Sequence, residues 1–326
     1  MSRYDALVQK CRARVIANLT DAPMCESITK YFERGKMLRA KLVFIAASAV
    51  GGNPDLVTLA AEAIELLHGA SLVHDDIIDQ ASERRSVPTL HTQFGTGTAL
   101  ALGDYLLFRA FVTMVKACAS LAVPARELEL LAAFSAYGEQ CCRGQIAELG
   151  EAGNIESEEE YLSMARWKTG SLFALAAVAG ATLGGGTLNE ISALHTFGIN
   201  FGVSFQIYDD VLELTGKPQE LGKSLGRSFA QRRPLLPLIY LVEYGTRAAR
   251  AEYNAMHRCE QERKTIVTLL EREGIFTRIK RTQDYHIATA LNALNELSRS
   301  DDILALRALI QVCGIPGLRQ HGRKRR

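Results

Sequence analysis

An acidic segment inside an otherwise apolar stretch limits most strongly how this chain can fold. Asp75, Asp76 and Asp79 follow residues 64–73, where apolar side chains recur at helical spacing. Residues four apart share a helix face, so Asp75 and Asp79 point the same way, one turn apart. Carboxylates turned towards an apolar interior need a compensating charge. A divalent cation with oxygen ligands would supply it; the alternative is a solvated acidic helix end.

The same pattern recurs in Phe205-Gln-Ile-Tyr-Asp-Asp-Val-Leu-Glu213. Asp209, Asp210 and Glu213 again stand at positions i, i+1 and i+4, and again they follow an apolar helical segment. Two such helices that face each other across a cavity are suited to hold magnesium ions bridged by a diphosphate. A matched pair of clusters is much harder to explain as surface charge than either cluster alone.

Helical periodicity along most of the chain predicts an all-α fold. Apolar residues recur at three and four spacing in residues 60–74, 103–116, 125–149, 159–183, 188–214 and 284–297. Glycine-rich loops separate these segments without a change in composition. We therefore predict one large helical barrel or bundle around a central cavity, over residues 1–318. The basic segment 319–326 is expected to be a frayed, solvated tail, with a weak tether to anionic lipid as the alternative.

Net charge, cysteine pattern and the length of the apolar stretches limit which partners and which cellular compartment are expected. A formal net charge of +2 gives no strong attraction for nucleic acid. The 7 cysteines include no CxxC pair, which is typical of free thiols in a reducing, cytoplasmic compartment. The most apolar stretch, 172–186, is about 15 residues long, whereas a membrane-spanning helix needs roughly 20. We expect a tightly packed internal helix there and at most peripheral membrane contact.

Basic side chains occur where a diphosphate would need direct contacts. Lys36 and Arg39 follow a glycine that is suited to open a helix, and Arg84-Arg85 follow the first cluster. Lys168 lies mid-chain on a helix, and Lys223 lies in the loop after the second cluster. Alone, each is more typical of a surface charge. Together they predict two anion sites, one bound through metal and one through arginine and lysine alone.

The order and spacing of these motifs resemble those of the trans-isoprenyl diphosphate synthases, or polyprenyl synthetases. The resemblance extends from about residue 30 to 240. It rests on Arg34-Gly-Lys-Met-Leu-Arg-Ala40 (family GGKRLRP), residues 65–79, Arg84-Arg85 with Pro88-Thr89 and Phe94-Gly95, Gly103-Asp104, Lys168-Thr169, residues 205–210 and Leu221-Gly-Lys223. It implies the all-helical isoprenoid synthase type I fold, in the motif style of medium- and long-chain members.

The resemblance also implies a function and a role for each site residue. The implied enzyme condenses isopentenyl diphosphate with an allylic diphosphate, head to tail and in trans, and is a homodimer. Its cofactor is Mg²⁺, about three ions with bound diphosphate. The implied ligands of isopentenyl diphosphate are Lys36, Arg39, His68 and Arg85. The implied magnesium carriers are Asp75, Asp79 and Asp209, supported through water by Asp76, Asp210 and Glu213. The allylic diphosphate would bind Arg84, Lys168 and Lys223, and the allylic cation would lie against Thr169 and Gln206.

Product length and the second metal site both depend on particular residues. In the family, side chains one and two turns before the first aspartate limit the product, and here they are Ala70 and Ser71, with Leu67 one turn deeper. Because none is aromatic, we predict a product of about twenty carbons or more. The second motif departs from the family pattern at Glu213, Ser228 and Arg233, where Asp, Asp and Lys are usual. The second metal site is therefore expected to be weaker or differently tuned.

Two other functions stay open on the sequence. A class I terpene cyclase shares the helical barrel and the first acidic motif. However, the N-D-x-x-S-x-x-x-E motif is missing, and the residues assigned to isopentenyl diphosphate would have no ligand. A non-catalytic subunit of a heteromeric synthase is suggested by the altered loop at residues 227–233. Such subunits usually lose acidic residues of the first cluster, and this chain has kept all of them.

Overall fold

The structure is a computed structural model that describes residues 3–119, 124–150, 155–216, 227–257 and 259–313. Its α-helices are α1 (Arg3–Asn18), α2 (Cys25–Glu33), α3 (Leu38–Ala49), α4 (Thr58–Ile78), α5 (Leu90–Phe94), α6 (Thr96–Cys118), α7 (Pro124–Leu149), α8 (Glu158–Ala165), α9 (Ser171–Leu183), α10 (Leu188–Thr215), α11 (Arg227–Ala230), α12 (Leu236–Tyr244), α13 (Arg247–Asn254), α14 (Arg263–Arg272), α15 (Ile275–Ala293) and α16 (Ser300–Ile310). A π-helical turn, Arg166–Gly170, joins α8 to α9. Single 3-10 turns lie at Pro54–Val57, Glu260–Glu262, Leu294–Glu296 and Gln311–Cys313. The predicted all-α class is confirmed.

A short hairpin between α4 and α5 is absent from the sequence prediction. Strand β1 (Glu83–Arg84) pairs antiparallel with β2 (Val87–Pro88). Arg85 and Ser86 form the connection, and both have positive φ, at 53° and 61°. Positive φ at both central residues is what a type I′ hairpin turn requires. Strands this short are too brief to leave an alternating pattern in the sequence.

The main hydrophobic core lies where α3, α4, α6, α9 and α10 pack together. Helix α9 is buried on almost every side, because nearly all its residues are small or apolar. A Cβ on Gly180 of α9 would lie 2.2 Å from the carbonyl oxygen of Val43 in α3. A Cβ on Gly198 of α10 would lie 2.6 Å from the Cα of Ala174 in α9. Glycine thus permits these close helix contacts. The predicted internal helix is confirmed for residues 172–183, and residues 184–186 follow its end.

Helix α10 contributes to two hydrophobic clusters. Its first half, including Phe197 and Phe201, belongs to the main core. Its second half, including Ile207 and Val211, packs in a second cluster with residues of α8, α12, α14 and α15. A capping box of Thr187 with Glu190 begins the helix. Because it is held on both sides, α10 provides a firm support for the second carboxylate cluster near its end.

Two described helical segments are long and apolar enough to cross a membrane by length and composition, Pro54–Ile78 and Thr96–Cys118. In the first, which contains α4, 72% of the apolar window is buried, as in the core helix of a folded domain. In the second, which is α6, 39% is buried. The exposed apolar side of α6, here called the α6 face, consists of Leu100, Leu107, Phe108, Phe111, Val112 and Val115.

Candidate active site

A cavity of about 480 Å³ between α4 and α10 brings most of the predicted site residues together. Its other walls come from α2, α3, α7, the hairpin and the π-helical turn. The predicted residues in its lining are Lys36, Arg39, His68, Ser71, Asp75, Asp79, Arg84, Arg85, Lys168, Thr169, Gln206, Asp209, Asp210 and Glu213. Leu67, Ala70 and Asp76 lie outside the lining. Lys223 and the segment 319–326 lie outside the described residues.

The first carboxylate cluster is divided between the cavity and the protein interior. Asp75 and Asp79 line the cavity, as the helical spacing predicts. Asp76 points elsewhere and is only 1% exposed. Its carboxylate accepts hydrogen bonds from Arg84, with Nε at 2.9 Å and Nη2 at 2.7 Å from Oδ1. It also accepts one from the hydroxyl of Tyr31 at 2.8 Å. Protein groups therefore satisfy the charge of Asp76.

Residues from distant parts of the chain contact the carboxylates that face the cavity. Arg233, in the loop after α11, lies 3.2 Å from Oδ1 of Asp79. In the same loop, Gln231 donates to the carbonyl oxygen of Asp79 at 2.8 Å. Burial raises the pKa of Asp75, and the charge of Lys168 acts in the opposite direction. Arg233, which replaces the lysine of the family pattern, thus keeps a cation beside the first cluster.

In the second cluster, Asp209 and Asp210 both line the cavity. Asp210 is buried and accepts three hydrogen bonds: from the Tyr161 hydroxyl at 2.7 Å, from Gln206 Nε2 at 2.9 Å and from the Leu236 backbone N–H at 3.1 Å. Burial raises the pKa of the Asp210 carboxyl to about 7 despite these donors. Asp210 thus joins α8, α10 and α12 through hydrogen bonds to its side chain.

Glu213, the residue that departs from the family pattern, contacts the altered loop. Its Oε1 accepts a hydrogen bond from the backbone N–H of Ser228 at 2.8 Å. Its Oε2 is buried and has no hydrogen-bond partner among the described residues. Glu213 and Ser228, which both replace an aspartate of the family pattern, are therefore neighbours. The longer glutamate side chain reaches the backbone of the loop at Ser228. One buried carboxylate oxygen stays available at the cavity wall.

The π-helical turn presents Lys168 and Thr169 to the cavity. π-helical turns are rare and occur often at functional sites. Nζ of Lys168 lies 2.5 Å from Oε2 of Glu148 on α7. Burial alone would lower the pKa of Lys168, but Glu148 and neighbouring carboxylates raise it above its ordinary value. Oγ1 of Thr169 donates to Oε1 of Gln206 at 2.5 Å. Lys168 is therefore held as a charged ammonium in the cavity wall.

Helix α7, itself part of the cavity wall, packs against the π-helical turn. Cys141 donates to the carbonyl oxygen of Lys168 at 3.3 Å. A Cβ on Gly144 would lie 2.2 Å from the backbone nitrogen of Lys168. Only a glycine at this position lets the two backbones approach so closely.

A further group of basic side chains lies around the connection between α2 and α3. The guanidinium of Arg39 stacks over the ring of Phe173 at 4.4 Å. Its Nε is buried with no hydrogen-bond partner in the described residues, and burial lowers the pKa of Arg39. Burial and nearby arginines also lower the pKa of His68 well below its usual value, so the imidazole is neutral. Lys36 is exposed, and Arg85 donates to the α2 backbone at 3.1 Å.

The donor set fits magnesium that is held together with a phosphate ligand. Among the described residues, no three histidine, cysteine or acidic side chains meet to form a metal site made by protein alone. Mg²⁺ usually takes one or two carboxylates and completes its shell with phosphate oxygens and water. Asp75, Asp79 and Asp209 offer carboxylates on the wall of one cavity, beside cations that suit a diphosphate. These residues therefore fit ions that bind with the diphosphate.

Comparison with known proteins agrees with this arrangement. The model of the family described as polyprenyl synthetase matches residues 22–271, which include both carboxylate clusters. The chain belongs to the polyprenyl synthetase family. This polyprenyl synthetase is 32% identical over 290 residues to the short chain isoprenyl diphosphate synthase of Methanothermobacter thermautotrophicus, covering 88% of this chain and 87% of that protein. It is 37% identical over 214 residues to the geranylgeranyl diphosphate synthase of Methanosarcina mazei, covering 65% of each.

Solved structures give the same result for the fold of this polyprenyl synthetase. The polyprenyl synthase from Caulobacter crescentus, complexed with calcium and isoprenyl diphosphate, superposes with a TM-score of 0.85 at 26% identity, covering 95% of this chain and 94% of that one. The geranylgeranyl pyrophosphate synthetase from Pyrococcus horikoshii superposes with a TM-score of 0.82 at 29% identity, covering 96% and 99%. The predicted family and isoprenoid synthase fold are both confirmed.

The three residues assigned to product length occupy different environments in this polyprenyl synthetase. Ser71 lines the cavity and donates to the carbonyl oxygen of His68 at 2.8 Å. Leu67 and Ala70 are buried in the main core, outside the cavity lining. The apolar part of the lining includes Phe32, Leu72, Leu172 and Phe205. Of the three, Ser71 is therefore the residue placed to meet a substrate chain directly.

Three residues of the site were missed by the sequence analysis. Glu148 balances Lys168, while Tyr31 and Tyr161 each donate to the middle carboxylate of a cluster. A signal existed for Glu148, because it lies one turn after Gly144 and so shares its helix face. No such signal exists for the tyrosines, whose rings look like ordinary core residues in sequence.

Proposed function

We propose that this polyprenyl synthetase is a magnesium-dependent trans-prenyltransferase that joins isopentenyl diphosphate head to tail to an allylic diphosphate. One observation carries the proposal: carboxylates from two helices and two separate groups of cations line one cavity. An enzyme that only cyclised a single diphosphate would have no ligand for the second group of cations. The arrangement therefore favours prenyl transfer over a terpene cyclase, and the names of the relatives support this choice.

The first step is ionisation of the allylic carbon–oxygen bond, which leaves negative charge on the departing diphosphate. Magnesium at Asp75, Asp79 and Asp209 would supply Lewis-acid stabilisation of that charge. Lys168 contributes a fixed positive charge, because Glu148 and its neighbours keep it protonated. Arg84 and Lys223 are assigned to the same diphosphate.

The allylic carbocation must be kept from water while it forms and reacts. Leu72, Leu172 and Phe205 supply apolar wall around it. The Thr169 hydroxyl donates its hydrogen bond to Oε1 of Gln206. Its oxygen lone pairs are therefore left to face the positive charge, which is the orientation that stabilises a cation.

Isopentenyl diphosphate is assigned to Lys36, Arg39, His68 and Arg85. The neutral His68 presents an N–H donor without adding charge, while the three cations balance the diphosphate. Binding there orients the alkene towards the carbocation, so that carbon–carbon bond formation needs no side-chain nucleophile. The proton lost afterwards passes to the departed diphosphate, which is the strongest base left in the cavity.

We also propose a product of about twenty carbons or more. Ser71 meets the cavity with a small side chain, and Ala70 beside it is small as well. Relatives of this chain have names that cover several lengths, including farnesyl, geranylgeranyl and octaprenyl diphosphate synthases. A direct measurement of product length is therefore part of the test.

The α6 face supports a homodimer as the functional form. Its residues follow helical spacing along one side of α6, and Phe108 is 70% exposed. An exposed apolar stripe of this length on a folded protein marks an interaction site, and a second copy meets it with the same residues across a twofold axis. Phe108→Glu should therefore yield a monomer in analytical ultracentrifugation, whereas an exposed apolar residue away from this face, as in Leu188→Glu, should leave a dimer.

A product assay tests the proposed function. Purified protein would be incubated with labelled isopentenyl diphosphate and allylic primers of increasing length, with Mg²⁺ or with EDTA. The expected result is elongation with Mg²⁺ only, to products of about twenty carbons or more. Absence of elongation with every primer would favour the non-catalytic subunit instead. Release of a hydrocarbon without elongation would favour a cyclase. We also propose a cytoplasmic location, since the described cysteines are free thiols.

A further inference from the structure

Tyr31, near the end of α2, is linked to both members of the adjacent arginine pair of the hairpin, to Arg84 through Asp76 and to Arg85 directly. Its hydroxyl donates to Oδ2 of Asp76 at 2.8 Å, and Asp76 in turn binds Arg84. Its backbone carbonyl accepts a hydrogen bond from Nη1 of Arg85 at 3.1 Å. Its hydroxyl also accepts from the backbone N–H of Leu90, at the start of α5, at 3.3 Å. One buried tyrosine therefore connects α2, α4, the hairpin turn and the start of α5.

The carboxylate of Asp76 is fully used by these contacts. Oδ1 accepts from Nε and Nη2 of Arg84 at 2.9 and 2.7 Å, and Oδ2 accepts from Tyr31 and from Nε of Arg84 at 3.0 Å. Asp76 does not line the cavity. Hydrogen bonds between charged partners in a site that excludes water are the strongest that side chains form. Asp76 therefore fixes the guanidinium of Arg84, whose other edge faces the cavity.

The hairpin needs external support because its turn is unfavourable for these residues. Arg85 and Ser86 both adopt the left-handed region, which is unfavourable for a residue with a Cβ. Such turns persist only where surrounding structure fixes them. Arg34 donates to the carbonyl oxygen of Arg85 at 3.0 Å and adds a further support. Arg84 ends β1 and Arg85 begins the turn, so the Tyr31 hydroxyl supports Arg84 through Asp76 while the Tyr31 carbonyl contacts Arg85 directly.

We propose that Tyr31 is a positioning residue that sets the two diphosphate subsites relative to each other, its hydroxyl acting on Arg84 through Asp76 and its carbonyl acting on Arg85. The proposal rests on the proposed function, in which Arg84 meets the allylic diphosphate and Arg85 meets isopentenyl diphosphate. It assigns Asp76 to the support of an arginine and leaves magnesium to the two carboxylates beside it. The positions of the Arg84 and Arg85 side chains therefore both depend on Tyr31.

The second cluster repeats half of this arrangement. Asp210, like Asp76, is the middle carboxylate of its cluster, is buried, and accepts from a tyrosine hydroxyl, that of Tyr161 at 2.7 Å. Its other described donors are an amide and a backbone N–H, both neutral. A tyrosine therefore anchors the middle carboxylate in both clusters. Only in the first cluster does the carboxylate also orient a cation that lines the cavity.

Tyr31→Phe isolates the hydroxyl, since it keeps both the ring and the carbonyl that binds Arg85. Loss of one hydrogen bond should raise the KM for the allylic diphosphate about fivefold. The KM for isopentenyl diphosphate and the half-saturating Mg²⁺ concentration should stay unchanged. Tyr240→Phe is the matched control, because it deletes another buried hydroxyl, one bonded to Thr282 at 2.6 Å outside the cavity lining. It should change neither KM.

Asp76→Asn separates arginine support from metal binding. The same selective rise in the allylic KM, at an unchanged Mg²⁺ requirement, supports the proposal. A rise in the half-saturating Mg²⁺ concentration would show that Asp76 serves the metal and would overturn it. Equal rises in both KM values after Tyr31→Phe, or none, would overturn it as well.

Calorimetry with inorganic diphosphate and saturating Mg²⁺, which directs the diphosphate to the metal-assisted allylic subsite, tests the inference independently of prenyl transfer. Tyr31→Phe should bind diphosphate about fivefold more weakly than the unmodified protein, and Tyr240→Phe should bind it equally well. If the unmodified protein failed to elongate any primer but the affinities differed in this way, the proposed function would fail and the positioning role would stand. Equal affinities in an active enzyme would refute the positioning role alone.

Discussion

Replacing Gly144 with alanine tests whether the close approach of α7 positions Lys168. The added Cβ would lie 2.2 Å from the nitrogen and 2.6 Å from the Cα of Lys168, whereas ordinary contacts begin at 3.4 Å. Both neighbours are backbone atoms, so no side chain can simply rotate away. The π-helical turn must move by about 1 Å, and a displacement of that size at a reacting group can cost about 100-fold in rate. Overpacking should also lower the free energy of unfolding by about 1–3 kcal/mol.

The assay combines steady-state kinetics with urea unfolding. We expect kcat/KM for the allylic diphosphate to fall about 100-fold, because Lys168 moves away from the leaving group. Gly138→Ala is the matched control on the same helix, since no neighbouring atom in the described structure would lie within 4 Å of the added Cβ. It should keep normal kinetics and stabilise the helix by up to about 1 kcal/mol. If Gly144→Ala kept normal kinetics, even with reduced stability, the contact would not position Lys168.

Three further outcomes are expected. Asp75→Ala should reduce elongation at least about 100-fold while circular dichroism stays unchanged, and retained activity would refute its role at the metal. Glu148→Gln should lower the free energy of unfolding by about 3 kcal/mol, because Lys168 keeps a buried charge without its partner. Adding Lys168→Met should recover most of that loss. No recovery in the double variant would contradict the pairing. Burial and Arg166 lower the pKa of His286 from 6.5 to about 4, so its contribution is complete above pH 6.5 and is lost as the pH falls towards 4. His286→Gln should flatten this part of the stability profile, and an unchanged slope would refute the assignment.

The cavity-facing carboxylates could be predicted from sequence because helical spacing determines which residues share a face. That rule placed Asp75 and Asp79 together, and the apolar residues before them indicated a helix that is mostly buried. The same rule could not say what Asp76 would contact. Its partner Arg84 is placed by a hairpin whose turn uses positive φ in residues that rarely adopt it. The contact therefore depends on tertiary structure that no local pattern encodes.

The residues that support the site were harder to predict than those that line it. Tyr31 and Tyr161 have the same apolar rings as core residues, and only folding reveals that their hydroxyls reach a carboxylate. The π-helical turn was predicted as part of one continuous helix, because one additional residue per turn barely changes the apolar pattern. Arg233 was noted only as a departure from the family pattern, and its contact with Asp79 joins residues far apart in sequence.

The π-helical turn also has a consequence for how this enzyme can evolve. A π turn equals a single-residue insertion into a continuous α-helix, and its removal would let α8 and α9 run on as one regular rod. Deleting one residue between Arg166 and Gly170 would then rotate Lys168 and Thr169 by roughly a quarter of a turn out of the cavity while the α9 scaffold kept its packing. Deletion of one codon would thus remove the residues proposed to assist ionisation from the cavity without loss of the fold. Families that share this scaffold but carry out other chemistry could arise by that route.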